Sequence, residues 1–382
     1  MNLIPLKYPV LISFALIFRG LLFAQNDTLE FNPVTNPVIQ QMNIWNICVA
    51  RDGKLWLSND NGVASFDGND VRFYGHGEGG NPVMGHKITV MSAFDHSENI
   101  YCLIAGGFLY HMNTRTGKFL NPKNKIDGDL AIHVQTEDSS GFFSPRSYTS
   151  IYTDNDQSLW CGRTNMGFIH YEPSTQTTTV YDLTKLNKGA NTVFAIQHDL
   201  KDANLLWLAT DNGICSFNKT TRQLQRKYYC KKTADSSSSD LSISNIIVNH
   251  SDTIWFVAQQ KGVGYYLKST GGYSIIPYKK QSSLNESTEL KIINFQEKGN
   301  NEFYLGLEND QPCTFNIITR QYAFKTKIHG NFPGLKFRQV IADSSGNVWC
   351  ILFGRLLVAM PNKKKLRTII LKDINQHNEA VN

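Results

Sequence analysis

The chain has 382 residues, 41% of them hydrophobic, 12% aromatic and only 18% charged. With 22 Phe, 16 Tyr and 6 Trp to bury it is no disordered chain, and beyond residue 24 no stretch approaches the roughly 18 apolar residues of a spanning helix. Thirty-eight basic against 32 acidic residues give +6, a balance too mild to mark nucleic acid or an anionic membrane as the partner.

Residues 1–24 read as a secretory signal. Lys7 supplies the basic start, Tyr8 to Ala24 the apolar run, and Ala24 the small residue before a cut at Gln25. Arg19 inside that run and Leu22 at the minus-three position depart from the pattern, and the rival reading is an uncleaved anchor. Export places the mature chain in the periplasm or outside the cell, with no membrane span left in it. Residues 25–42 form a lead-in, of which 27–34 (DTLEFNPV) are expected to add an edge strand to the last repeat and close the ring. The seven cysteines are odd in number and show no CxxC or Cys/His spacing, so neither zinc nor another metal is expected. Cys102, Cys161 and Cys350 each follow an aromatic residue inside an apolar run, which reads as buried, inert thiols on strands rather than a disulfide framework.

From residue 43 the chain repeats itself. Trp56, Trp160, Trp207, Trp255 and Trp349 each close a short polar turn: DGKLW (52–56), DNDQSLW (154–160), DANLLW (202–207), SDTIW (251–255) and DSSGNVW (343–349). Two gaps in that series hold the same turn with tyrosine, HSENIY ending at Tyr101 and KGNNEFY ending at Tyr304. The seven anchors lie 45, 59, 47, 48, 49 and 45 residues apart, a regularity that marks a repeat architecture. An apolar, β-rich run precedes each turn, from NIWNICVA in the first unit to FRQVIADS in the last. After the anchor comes a second strand and, in five units, Gly62, Gly107, Gly167, Gly213 or Gly262. Tight antiparallel hairpins use such a glycine because φ must be positive. A third strand ending on an aromatic, and a fourth such as VRFY, TTVY or LRTII, complete the unit. Four short strands in each of seven units of about 47 residues predict an all-β fold, a seven-bladed β-propeller of four-stranded antiparallel blades. It is expected over 43–373, with 374–382 as a tail. A lone four-stranded sheet cannot bury both apolar faces, so the anchors belong between blades and are structural, while the turn Asp and Asn residues bond local backbone.

The pattern D-x-x-G-x-[LV]-W-[IL]-x-T-x-x-G-[LIV]-x-x-[FY], followed by F-x-x-Y, resembles the two-component regulator propeller repeat. Residues 52–74, DGKLWLSNDNGVASFDGNDVRFY, are the best copy, and 202–217, DANLLWLATDNGICSF, are a second. The sixth and seventh units depart: Asn309-Asp310 lacks the Gly, and Gly354 comes five residues after Trp349 instead of six. The resemblance implies the periplasmic sensor part of a membrane histidine kinase or hybrid two-component system, often one that senses glycans or their fragments. Family members usually continue into an immunoglobulin-like module, a membrane helix and a kinase. This chain stops at Asn382, about ten residues past its last repeat, and is read as a truncated receptor or a free-standing exported propeller.

A binding module is the stronger functional reading. There is no GxSxG, no HExxH and no phosphate-cradling glycine loop, and neither catalytic residues nor a cofactor are expected. The expected partners are a glycan or other small periplasmic ligand and a membrane histidine kinase or other receptor component. The rival is a propeller-type carbohydrate-active enzyme, a lyase or glycosidase, whose residues would come from scattered blade tips without a local signature. The 59-residue spacing between Tyr101 and Trp160 places an insertion in 121–148, the connection from the second unit to the third. It ends in Phe142, Phe143, Arg146 and Tyr148, groups suited to the apolar faces and hydroxyls of a sugar or to a partner's surface. The bland reading is that the phenylalanines pin the loop to its own blades. His86, which with His76 flanks the loop GEGGNPVMG, and Arg338 join these as candidate ligand contacts.

Overall fold

The second strand of almost every unit is apolar over most of its length: LWLSN, LWCGR, LLWLAT, TIWFVA, EFYLGL and VWCIL. Continuous apolar runs of this kind need cover on both faces, which a stack of sheets provides. A computed structural model of the chain shows that stack. It describes residues 28–360 apart from 51–52, 61, 75–87, 94–98, 105–107, 118–147, 173, 176, 184–190, 229–241, 279–291, 300, 308–311, 325 and 334–336. The secretory segment, the insertion 121–147, His86 and the tail therefore lie outside the described residues.

Strand β1 (Leu29–Pro33) and the one-turn helix α1 (Pro37–Gln41) come first. Asn36 caps α1 by accepting hydrogen bonds from the backbone N–H groups of Val38 and Ile39. The first sheet follows with β2 (Ile44–Val49), β3 (Leu55–Asn59), β4 (Gly62–Phe66) and β5 (Val71–Tyr74). The second has β6 (Ile88–Ala93), β7 (Asn99–Ile104) and β8 (Phe108–Asn113). The third has β9 (Tyr148–Thr153), β10 (Leu159–Arg163), β11 (Gly167–Glu172) and β12 (Thr177–Tyr181). The fourth has β13 (Val193–His198), β14 (Leu205–Thr210), β15 (Gly213–Asn218) and β16 (Gln223–Tyr228). The fifth has β17 (Ile243–Val248), β18 (Thr253–Ala258), β19 (Gly262–Leu267) and β20 (Tyr273–Pro277). The sixth has β21 (Ile292–Gly299), β22 (Glu302–Leu307), β23 (Cys313–Asn316) and β24 (Gln321–Ala323).

The last sheet is built from both ends of the chain. Its β26 (Phe337–Ala342), β27 (Val348–Leu352) and β28 (Arg355–Ala359) run in order, and β1 then pairs antiparallel with β28. A short strand, β25 (Thr326–Ile328), lies parallel on the outer side of β1. The place beside β28 that the sequence pattern gives to LRTII (366–370) is thus occupied by β1, and LRTII lies outside the described residues. The first strands of the sheets, β2, β6, β9, β13, β17, β21 and β26, pack side by side in chain order, and β26 packs back against β2. The result is an all-β, propeller-like arrangement in which six sheets have four or more strands. The β6–β8 sheet shows three, and the residues after it are outside those described.

Burial follows radius: second and third strands are covered on both faces, while outer strands such as β20 and β24 are half-buried to exposed and carry no buried residue. All seven repeat anchors are buried, none exposing more than 6% of its surface. The turn acids do more than bond local backbone. Asp154 accepts from the Trp160 indole N–H at 3.2 Å and from the Lys219 ammonium of the next sheet at 2.7 Å. Asp199 repeats this with Trp207 and Lys268, at 2.8 and 2.9 Å, so each carboxylate ties its own anchor to the neighbouring blade. The early Gly354 has a local cause as well. Gly62, Gly167, Gly213 and Gly262 open the third strand, whereas Phe353 and Gly354 form the two-residue turn itself, at φ +50 and +75. The six described cysteines are buried thiols in no disulfide.

Candidate functional site

Each first strand breaks register at its start, before it settles into pairing with the second strand. In every sheet the bulge encloses one residue: Trp45, Thr89, Thr149, Phe194, Ser244, Ile293 or Arg338. A bulge adds a residue without a ladder partner and re-aims its side chain. Because the first strands surround the axis, the bulges fall at one end of it. This is the end where second strands turn into third strands. Trp45, Thr149, Phe194, Ile293 and Arg338 line an axial cavity of about 540 Å³ there.

Arg338 and Trp45 belong to neighbouring sheets at the closure, and the guanidinium lies over the indole ring, 4.0 Å from its centroid. The indole N–H donates to Asp60, which sits in the turn between β3 and β4, and Asn43 donates to the other oxygen of that carboxylate at 3.0 Å. Packing around the guanidinium lowers its pKa by desolvation, against the pull of Asp60. Deeper along the wall, the Tyr152 hydroxyl pairs with His198 Nδ1 across the third and fourth sheets. Burial, with Asp154 nearby, pushes that phenol well above its usual range. Among the described residues lining the cavity there is no carboxylate.

The wall is stitched by side chains that reach one blade onward. Gln197 accepts from Val248 N–H at 2.8 Å, and Gln296 from Ala342 N–H at 2.9 Å. At the closure Gln339 bonds both the N–H and the C=O of Ile47, each at 2.8 Å. These clamps fix the bulges relative to one another.

Of the residues singled out from sequence, Arg338 lies at this mouth, and Tyr148 begins β9 one residue before the Thr149 bulge. His86, Phe142, Phe143 and Arg146 lie outside the described residues. Trp45, Phe194 and Ile293 were not singled out. A signal existed: the bulged residue sits eleven positions before the anchor in five units, as Trp45 does before Trp56 and Arg338 before Trp349.

The fold is that of known propellers. The extracellular domain of the hybrid two-component system BT4673 of B. thetaiotaomicron superposes with a TM-score of 0.64 at 15% identity, covering 87% of this chain and 39% of that one. The extracellular domain of the hybrid two-component system BT3049 of the same organism gives 0.61 at 14%, covering 88% and 42%. This chain thus spans about two fifths of the length of either. A streptogramin B lyase structure gives 0.61 at 16%, covering 87% of this chain and 97% of that one. At such identities the likeness is one of fold. No family model matches the chain, and no curated protein matches it. Among the described residues no helix is long and apolar enough to cross a membrane.

Proposed function

We propose that the chain is an exported, non-catalytic seven-bladed propeller of the two-component regulator type, which binds a small ligand or a partner at its axial mouth and reports it to a receptor component such as a membrane histidine kinase. The observation that carries this reading is the ring of bulges around the 540 Å³ cavity, a size typical of small-molecule sites. The seven mutually adjacent first strands support the blade count, with β6–β8 as part of the remaining blade. The extracellular, two-component neighbours favour a periplasmic or secreted sensing role over the lyase alternative. A glycosidase would need a pair of facing carboxylates, and the described lining has no carboxylate; the facing acid–base pair it does hold, Tyr152 and His198, is engaged with itself through the hydroxyl–Nδ1 hydrogen bond. His86, Phe142, Phe143 and Arg146, outside the described residues, are retained as proposed ligand contacts on the sequence argument alone.

The test is thermal melting of the purified chain and of Phe194→Ala against a panel of neutral oligosaccharides, sugar acids, amino acids and aromatic acids. NMR monitors each compound for consumption. A compound that raises the melting temperature only when Phe194 is present, and survives intact, supports the reading. Turnover of a compound, or no Phe194-dependent shift across the panel, overturns it.

A further inference from the structure

The axial cavity has one permanently charged group on its described lining, and it is a cation without a hydrogen-bond or ion-pair partner among the described residues. The guanidinium carbon of Arg338 lies over the Trp45 ring, 4.0 Å from its centroid, and a ring face offers no lone pair to satisfy the N–H fork. Among the described residues those donors make no hydrogen bond and no ion pair. Asp60 attracts the cation from a distance, but its two oxygens are already taken by Trp45 and Asn43. A guanidinium partly stripped of water, with its fork unmet, gains more from an oxyanion than a fully hydrated one does.

The remaining lining decides the rest of the ligand. Phe194 and Ile293 are half-buried apolar groups at the same level of the ring. The Thr149 hydroxyl is spent on the carbonyl of Val193, whereas the buried Ser150 Oγ has no partner among the described residues. One cation matches one negative charge. A phosphate dianion would be only half neutralised there and would face Asp60, while a neutral sugar would leave the fork unmet. We infer that this mouth takes a small organic monoanion, its carboxylate paired two-pronged with Arg338 and its apolar or aromatic body against Phe194 and Ile293. This inference rests on the binding reading above and names its ligand class.

The experiment is titration calorimetry of the whole chain with phenylacetate, phenylacetamide and phenyl phosphate. Phenylacetate is expected to bind at least tenfold more tightly than the amide, and more tightly than the phosphate. Arg338→Gln should reduce the acid to the level of the amide while leaving the amide within twofold. Arg338→Lys, which keeps the charge but not the fork, should fall between. The melting temperature of each variant verifies the fold. Equal affinity of acid and amide, an unchanged acid affinity in Arg338→Gln, tighter binding of the phosphate, or no binding of phenylacetate would each overturn the inference. If neutral compounds still bind in a Phe194-dependent way after such a result, the ligand class is wrong and the binding reading stands. If nothing binds in that way, both fall.

Discussion

Replacing Phe31 with alanine tests whether the ring is a single cooperative unit closed by its first strand. Phe31 is fully buried in β1 and packs in one cluster with Tyr304, Phe337, Val340, Cys350 and Leu357. Truncating a buried phenylalanine costs about 3–5 kcal/mol through lost transfer free energy and the cavity left behind. Unfolding entropy near 2.1 cal/mol/K per residue gives about 0.7 kcal/mol/K for a chain of roughly 330 folded residues, so the melting temperature should fall by about 4–7 °C. Phe217, equally buried but inside the fourth sheet, supplies the comparison, and the exposed Asn32 of β1 the surface control. Scanning calorimetry should show one transition, lowered alike in Phe31→Ala and Phe217→Ala and unmoved within about 1 °C in Asn32→Ala. If Phe31→Ala melts with the native chain while Phe217→Ala does not, β1 opens independently and does not close the cooperative unit.

Other outcomes follow from the clamps and the thiols. Gln339→Ala orphans both backbone groups of Ile47 and should cost about 2 kcal/mol in a urea titration, whereas the exposed Gln223→Ala should cost under about 0.5 kcal/mol. Burial works to raise the Asp199 carboxyl, but the Trp207 indole, the Lys268 ammonium and the Lys201 backbone N–H hold it below the usual range. A depressed acid contributes stability that is present above about pH 3.9 and lost as pH falls through the folded value. The stability gap between native chain and Asp199→Asn should therefore stay constant from pH 8 to 5 and narrow below about pH 4; a gap independent of pH would refute the assignment. Burial pushes the Cys102 and Cys161 thiols up to about 12, and Cys48 and Cys350 higher still. Ellman's reagent should thus find at most the thiol of Cys230 in native protein and all seven after denaturation. Rapid labelling of two or more in the native state would contradict the packing.

The blades were legible in the sequence because their signal is chemical and periodic. Each anchor is a large aromatic at a fixed place in a covered strand, and burial on both faces forces the apolar run around it. The turn acids were legible as turn formers but not as ties between blades, since the lysines that reach Asp154 and Asp199 lie 65 and 69 residues away. The mouth was harder still. A bulge adds one residue to an alternating strand without changing its composition, and the enclosed residues share no chemistry, running from Trp and Phe to Thr, Ser and Arg. Arg338 was named, but nothing local in the sequence shows that Trp45, almost three hundred residues earlier, lies beneath its guanidinium. That neighbour exists only because the chain returns to its own beginning.

The bulges also separate two kinds of selection. A core position in this ring is answerable to the sheets on both sides, so changing it disturbs packing at once. The bulged positions that line the cavity have no cross-strand partner, and those whose side chains make no bond to the blades, such as Phe194 and Ile293, can be exchanged with little consequence for the frame, whereas Thr149 and Trp45 also bond Val193 and Asp60. The repeat therefore offers a few variable letters in an otherwise fixed frame. Descendants of such a chain could drift from one ligand to another by rewriting a handful of letters, and an engineer could do the same by randomising positions such as Phe194, Ile293 and Arg338 together.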